Sequence, residues 1–140
     1  MPLHVTIDCS DPHAQARFWA VALGWEVEDL HDLIGGIIEA GHISADSEDI
    51  IELDGRRAWR DMSRLMSPDG DGSRVLMQRV PEPKTAKNRV HLDIEAPGGD
   101  RQAHVERLLA LGATKLWDGQ LGPQTWVTLA DPEGNELCVS

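Results

Sequence analysis

One five-residue pattern occurs twice in the chain, as "HVTID" at residues 4–8 and "HLDIE" at residues 91–95. Each reads His, aliphatic, polar, Ile, acid. In extended backbone, successive side chains point to opposite faces of a sheet. One face of each segment carries Val5 and Ile7, or Leu92 and Ile94, and suits a core. The other carries His4, Thr6 and Asp8, or His91, Asp93 and Glu95, and meets either bulk water or a cleft. The repeat continues beyond the strands. "SDPHAQARFWAVALG" follows the first, with Asp11 or Ser10 as N-cap, Pro12 at the first helical position and Gly24 past the end. Its apolar stripe is Ala14, Phe18, Val21 and Ala22. "GDRQAHVERLLALG" follows the second, capped by Asp100, with Val105, Leu108 and Leu109 inward and Gly112 as terminator. "ALG" closes both helices, and the distance from His to that Gly is 20 residues in one half and 21 in the other. Such a chain is a duplication of one supersecondary unit.

Strand signals follow each helix. In the second half they fall at about 113–118, 124–130 and 135–139, with "DPEGN" as the last turn. In the first half, Leu30, Leu33, Ile34, Ile37 and Ile38 mark an amphipathic helix weakened by Gly35 and Gly36. "DIIELDGRRAWR" reads as a hairpin about Asp54-Gly55, and a strand at about 73–80 leads into the Pro-rich "VPEPKTAKNR". Each half is therefore strand, helix, then about three strands. The predicted class is α+β: two βαβββ modules in one domain spanning residues 1–140. Module 1 covers 1–80 with an insertion at about 29–58, a linker covers 81–87, and module 2 covers 88–140.

Bulk properties limit the function. The formal charge of −11 makes a nucleic-acid backbone an unfavourable partner. No apolar run approaches a membrane span, and no export signal opens the chain, which predicts a reduced, cytoplasmic setting. Two cysteines, Cys9 and Cys138, make no disulfide framework. Charge is unevenly spread: residues 26–54 hold ten acids and no Lys or Arg, while residues 56–89 hold nine basic residues and four acids. These blocks read as solvated faces, as surfaces that meet between paired subunits, or as a basic patch for an anionic substrate.

At these residues the chain resembles the vicinal oxygen chelate superfamily, whose members are built from paired βαβββ modules. Glyoxalase I, bleomycin-resistance proteins, fosfomycin-resistance enzymes and extradiol dioxygenases belong to it. The resemblance rests on "HVTIDCSDPHAQARFWAVALGWEV", "VPEPKTAKNRVHLDIEAP" and "DPEGNELCV", and is strongest to glyoxalase-like single-domain proteins. It implies an open, U-shaped half-barrel sheet with the site on the concave face, and a homodimer in which strands of both subunits can share a site. Metal-binding members take ligands from the first and last strands of each module. Carried over by position, the nominal set is His4, Gln78, His91 and Cys138, with Cys138 standing where the family usually has Glu. Glu136 lies two residues before it on the same face. Two imidazoles and a thiolate suit zinc, while the family's oxygen-rich sites hold Ni, Co, Mn, Fe or Zn.

Other residues are weighed on the same footing. Asp8, Asp93 and Glu95 act as bases, orient the two histidines or sit at a solvated sheet edge. Trp59 and Trp126 are the best placed of five Trp residues to wall a pocket and stack a substrate. His13, His31, His42 and His104 read as surface residues. Two functions fit. One is a small-molecule enzyme of lyase, isomerase or dioxygenase type acting through a divalent ion, with acid–base help from Glu136. The other is a metal-free protein that sequesters a cationic aromatic ligand, as in the bleomycin-resistance branch.

Overall fold

Two four-stranded sheets share one strand order, and that order is the duplication seen in three dimensions. A computed structural model describes all 140 residues. The elements in chain order are β1 (His4–Cys9), α1 (Pro12–Leu23), β2 (Glu26–Val27), α2 (His31–Glu39), β3 (Ile50–Leu53), β4 (Arg56–Trp59), β5 (Met62–Met66), β6 (Arg74–Arg79), β7 (Leu92–Ile94), α3 (Arg101–Ala110), β8 (Thr114–Leu121), β9 (Gln124–Ala130) and β10 (Glu136–Val139). The sheets run β1-β6-β5-β2 and β7-β10-β9-β8. In each, the module's first strand pairs in parallel with its last, and the remaining pairs are antiparallel. Both sheets are open, as a glyoxalase-like half-barrel requires.

Local chemistry sets the helix ends. The Asp11 carboxylate accepts from the His13 and Ala14 amides, and Gly24 ends α1 at φ 67 with its amide bonded to Ala20 and Val21. Asp100 accepts from the Ala103 amide to start α3. The buried face of α1 is Pro12, Gln15, Ala16, Phe18, Trp19 and Ala22. It is rotated from the predicted stripe because Gln15 and Trp19 turn inward to a buried acceptor. That acceptor is Asp131, from the "DPEGN" turn of the other module. Its two carboxyl oxygens accept from Gln15 Nε2 at 2.8 Å, Trp19 Nε1 at 2.9 Å, Asn135 Nδ2 at 3.0 Å and the Glu133 and Asn135 amides at 2.9 Å. Glu133 reaches back to accept from the Ser10 and Asp11 amides. The turn therefore clasps module 1 to module 2.

A single core of 16 buried residues completes that union. Cys9, Ala16, Phe18, Trp19, Ala22, Leu65, Val75 and Met77 come from the first half, and the other eight, from Ile94 to Val139, come from the second.

Three sequence expectations are revised. The hairpin β3–β4 forms about Asp54 (φ 50) and Gly55 (φ 75) as predicted, but pairs only with itself inside the insertion. The third strand of module 1 is instead β5, which the sequence reading passed over. His104 is buried in α3, donating from Nε2 to the Ala22 carbonyl at 3.1 Å. His13 and His31 anchor the insertion: His13 Nε2 donates to the Trp59 carbonyl at 2.8 Å, and His31 Nδ1 accepts from the Arg57 amide at 2.9 Å. Ion pairs Asp29–Arg56 and Glu28–Arg64 join the acidic block to the basic one within the chain. No helix is long and apolar enough to cross a membrane.

Both cysteines are free. Cys9 is buried, and burial together with the Glu133 and Asp11 charges pushes its thiol up to about 12. Iodoacetamide at pH 8 is expected to modify Cys138 in the native protein and Cys9 only after unfolding, as intact-mass spectrometry would show.

Candidate metal and ligand site

Strand register assembles the site. The parallel pairing of β7 with β10 sets Asp93 beside Cys138, and the antiparallel pairing of β10 with β9 sets Thr128 on the other side of Cys138. His91 precedes Asp93 by two residues and so shares its face. The result is a compact trio: one ligand atom each of His91, Asp93 and Cys138 lie within 4.8 Å of one another. His91 Nε2 is 3.3 Å from Asp93 Oδ1. The Cys138 sulfur is 3.4 Å from the Thr128 hydroxyl. Burial raises the Cys138 thiol above its ordinary value, the Asp93 charge adds to this, and the Thr128 hydrogen bond opposes it.

Beside the trio opens a cavity of about 520 Å³. Its far wall is the β8–β9 end, with Leu121, Gln124, Thr125 and Trp126. A second cleft of about 230 Å³ lies on the seam between modules and is bordered by Thr6, Asp8, His91 and Glu136.

The sequence-predicted residues divide. His91 and Cys138 come together, and Asp93, expected from the sequence to orient His91, act as a base or sit at a solvated sheet edge, joins them as a candidate ligand. In module 1, His4 pairs with Arg74 and Gln78 with Asp8. His4 and Gln78 are thus four register positions apart, roughly 13 Å along the strand, and form no ligand pair within the chain. β10 runs in unbroken register, so Glu136 stays two residues from Cys138. Its carboxylate accepts from the Asn88 amide at 3.1 Å and from Lys84 at 3.2 Å. Burial favours the neutral acid, but these hydrogen bonds prevail and hold its pKa below the ordinary value. Glu136 thus ties Lys84 of the linker, and Asn88 just after it, to β10. Trp126 walls the trio's cavity. Trp59 borders a separate hollow with Asp49, Asp61 and Met62.

Paired βαβββ modules with open sheets and candidate ligands on the exposed face define a vicinal oxygen chelate protein. The family of glyoxalase-like domains matches residues 4–140, and the chain belongs to that family. Among solved structures it is similar to a glyoxalase/bleomycin resistance protein/dioxygenase family enzyme from Burkholderia phytofirmans. That pair is 15% identical with a TM-score of 0.58, covering 97% of this chain and 94% of the other. The fosfomycin resistance protein FosX from Listeria monocytogenes, complexed with Mn(II) and a dihydroxypropylphosphonic acid, is 11% identical with a TM-score of 0.59, at 97% and 85% coverage. The bleomycin-binding protein of Streptomyces verticillus, complexed with copper(II)-bleomycin, is 17% identical with a TM-score of 0.55, at 100% and 94%. At these identities the likeness is one of fold. No curated protein matches the sequence.

Proposed function

We propose that this glyoxalase-like protein is a small-molecule enzyme of lyase, isomerase or dioxygenase type, with a divalent ion held by His91, Asp93 and Cys138. The observation that carries the proposal is the convergence of those three ligand atoms on the wall of a cavity of substrate size. The donor set fits an ion. Bonds of about 2.0–2.3 Å in a tetrahedral site set ligands roughly 3.3–3.8 Å apart, which small side-chain adjustments reach here. Nitrogen, sulfur and carboxylate donors suit zinc, and three protein ligands leave a position for substrate. A bound divalent ion supplies polarisation of a substrate oxygen. The chain's own residues do the rest: Thr128 hydrogen-bonds the Cys138 sulfur, and Trp126 walls the cavity in which a ligand would sit. FosX with Mn(II) and a phosphonic acid supports this reading as a relative in fold.

The test is elemental analysis of untagged protein after incubation with Zn, Ni, Co, Mn or Fe(II) and desalting. About one ion per chain is expected, and its binding should protect Cys138 from iodoacetamide. Retention of none of these ions, with Cys138 equally reactive throughout, would overturn the proposal. A second reading, metal-free binding of a small molecule, draws on the cavity that Trp126 borders and on the bleomycin-binding protein as a relative in fold. Under it, ligand affinity is indifferent to chelators.

A further inference from the structure

Trp126 stands where its sheet thins to two strands. β10 pairs with β9 only from Val127 to Ala130, so the strand neighbour of Trp126 is Gly119 on β8 alone. A methyl group built on Gly119 would come closer than 3 Å to Cε2, Nε1 and Cζ2 of the indole. It would be nearest to Cε2 and farther from Nε1 and Cζ2, the two neighbours of Cε2 on the ring's outer edge. Approach from the ring's edge would make those two atoms the nearer ones, so the glycine lies over the ring plane. The indole is seated face-down on the Gly119 backbone, and Trp126 is among the residues that line the cavity beside His91, Asp93 and Cys138.

Gly119 has no positive φ, so an alanine would fit its backbone. The glycine supplies space, and the space is filled by the ring. Glycine covered by a cross-strand aromatic is a known way to stabilise strand pairing. Here the covering ring also builds a wall. The strand that carries it is held by Arg101, whose Nη1 donates to the Thr125 carbonyl at 2.7 Å and to its hydroxyl at 3.0 Å. Across the mouth, Leu121 leaves most of its side chain in water.

We propose that Gly119 is a positioning residue that seats Trp126 as a flat platform, and that the cavity accepts a planar, conjugated ligand against it. The inference deepens the function proposed above and rests on that reading of the cavity as a ligand site. A flat π-system can lie in offset contact over the whole indole face, whereas a puckered saturated ring touches it at a few atoms. Any side chain at position 119 lifts the indole off its seat and into the space the ligand needs.

The probes are 2-naphthol and decahydro-2-naphthol, which share ring connectivity and hydroxyl and differ in planarity. Each is titrated calorimetrically into the wild-type protein, Gly119→Ala, Trp126→Leu, Trp126→Phe and the Gly119→Ala/Trp126→Leu double variant. The wild type is expected to favour 2-naphthol by about threefold to tenfold. Gly119→Ala and Trp126→Leu should each abolish that preference, and Trp126→Phe should keep part of it. The double variant should bind as Trp126→Leu does, because the glycine matters only while the indole is present. Equal or absent binding of the two probes by the wild type overturns the inference. So does a preference that survives in Gly119→Ala or, should that variant unfold, in Trp126→Leu. Metal retention measured on the same proteins separates the two proposals: a planar preference without retained metal overturns the metal reading alone, and retained metal without the preference overturns this one alone.

Discussion

Asp131→Ala is expected to destabilise the protein by about 3–5 kcal/mol and to lower its melting temperature by roughly 10–20 °C. The carboxyl is almost wholly buried and accepts five hydrogen bonds. Removing it strands the Gln15 amide and the Trp19 indole N–H in a dry interior, together with the Asn135 donors. Each unsatisfied buried donor costs about 1–3 kcal/mol, and partial rearrangement keeps the total below the sum. Gln15 Oε1, a buried acceptor without a partner, is a site at which one stranded donor can re-pair, which is part of why the total stays below the sum. Asp131→Asn preserves the shape but turns one acceptor into a donor facing other donors, and should cost roughly half as much. Urea unfolding followed by Trp fluorescence reads both. A loss under about 1 kcal/mol for the alanine variant would mean that water enters and replaces the carboxyl.

The second large effect is on metal retention. His91→Ala and Cys138→Ala are each expected to weaken retention by about 100-fold or more, since even changes behind the ligands cost 10- to 100-fold at such sites. An independent readout is thermal: a metal at 100 times its dissociation constant adds about 2.7 kcal/mol of stability. The wild type should gain that stability and the two variants should not. His4→Ala and Gln78→Ala should leave both readouts near wild type, because the register separates those residues from each other and His4 is not part of the trio. A clear loss in either would mean that module 1 of a second chain completes the ligand shell.

Much of the architecture was legible because its signals are local. Asp11 and Asp100 cap the helices they precede, Gly24 ends α1, and the alternation in "HVTID" and "HLDIE" separates core from open face. What was missed depends on partners distant in sequence. β5 reads Met-Ser-Arg-Leu-Met, with no β-branched residue, and becomes a strand because β6 and β2 pair with it. His104 lies four residues before the buried Leu108 on one helical face, a spacing that could have exposed its burial, but its polarity argued the other way. The trio needs Asp93 opposite Cys138, a parallel register between residues 45 positions apart, which no alternation pattern encodes. Gln78 lies away from His4 within the chain for the same reason. Its type suited a ligand, and the register put it beside Asp8.

The evenly shared core and the clasp at Asp131 have a consequence for how the chain could be cut. Each half supplies eight of the 16 core residues, so a lone module would leave its half of that apolar surface in water and is not expected to fold. A nick in the 81–87 linker, by contrast, breaks no strand pairing, because β6 ends at Arg79 and β7 begins at Leu92. The two fragments should remain associated as a non-covalent heterodimer with the ligand trio intact in the C-terminal piece, and separately expressed halves should reconstitute on mixing. The covalent join then serves mainly to raise the local concentration of one module near the other, which is the relation expected of a fold that began as two identical chains.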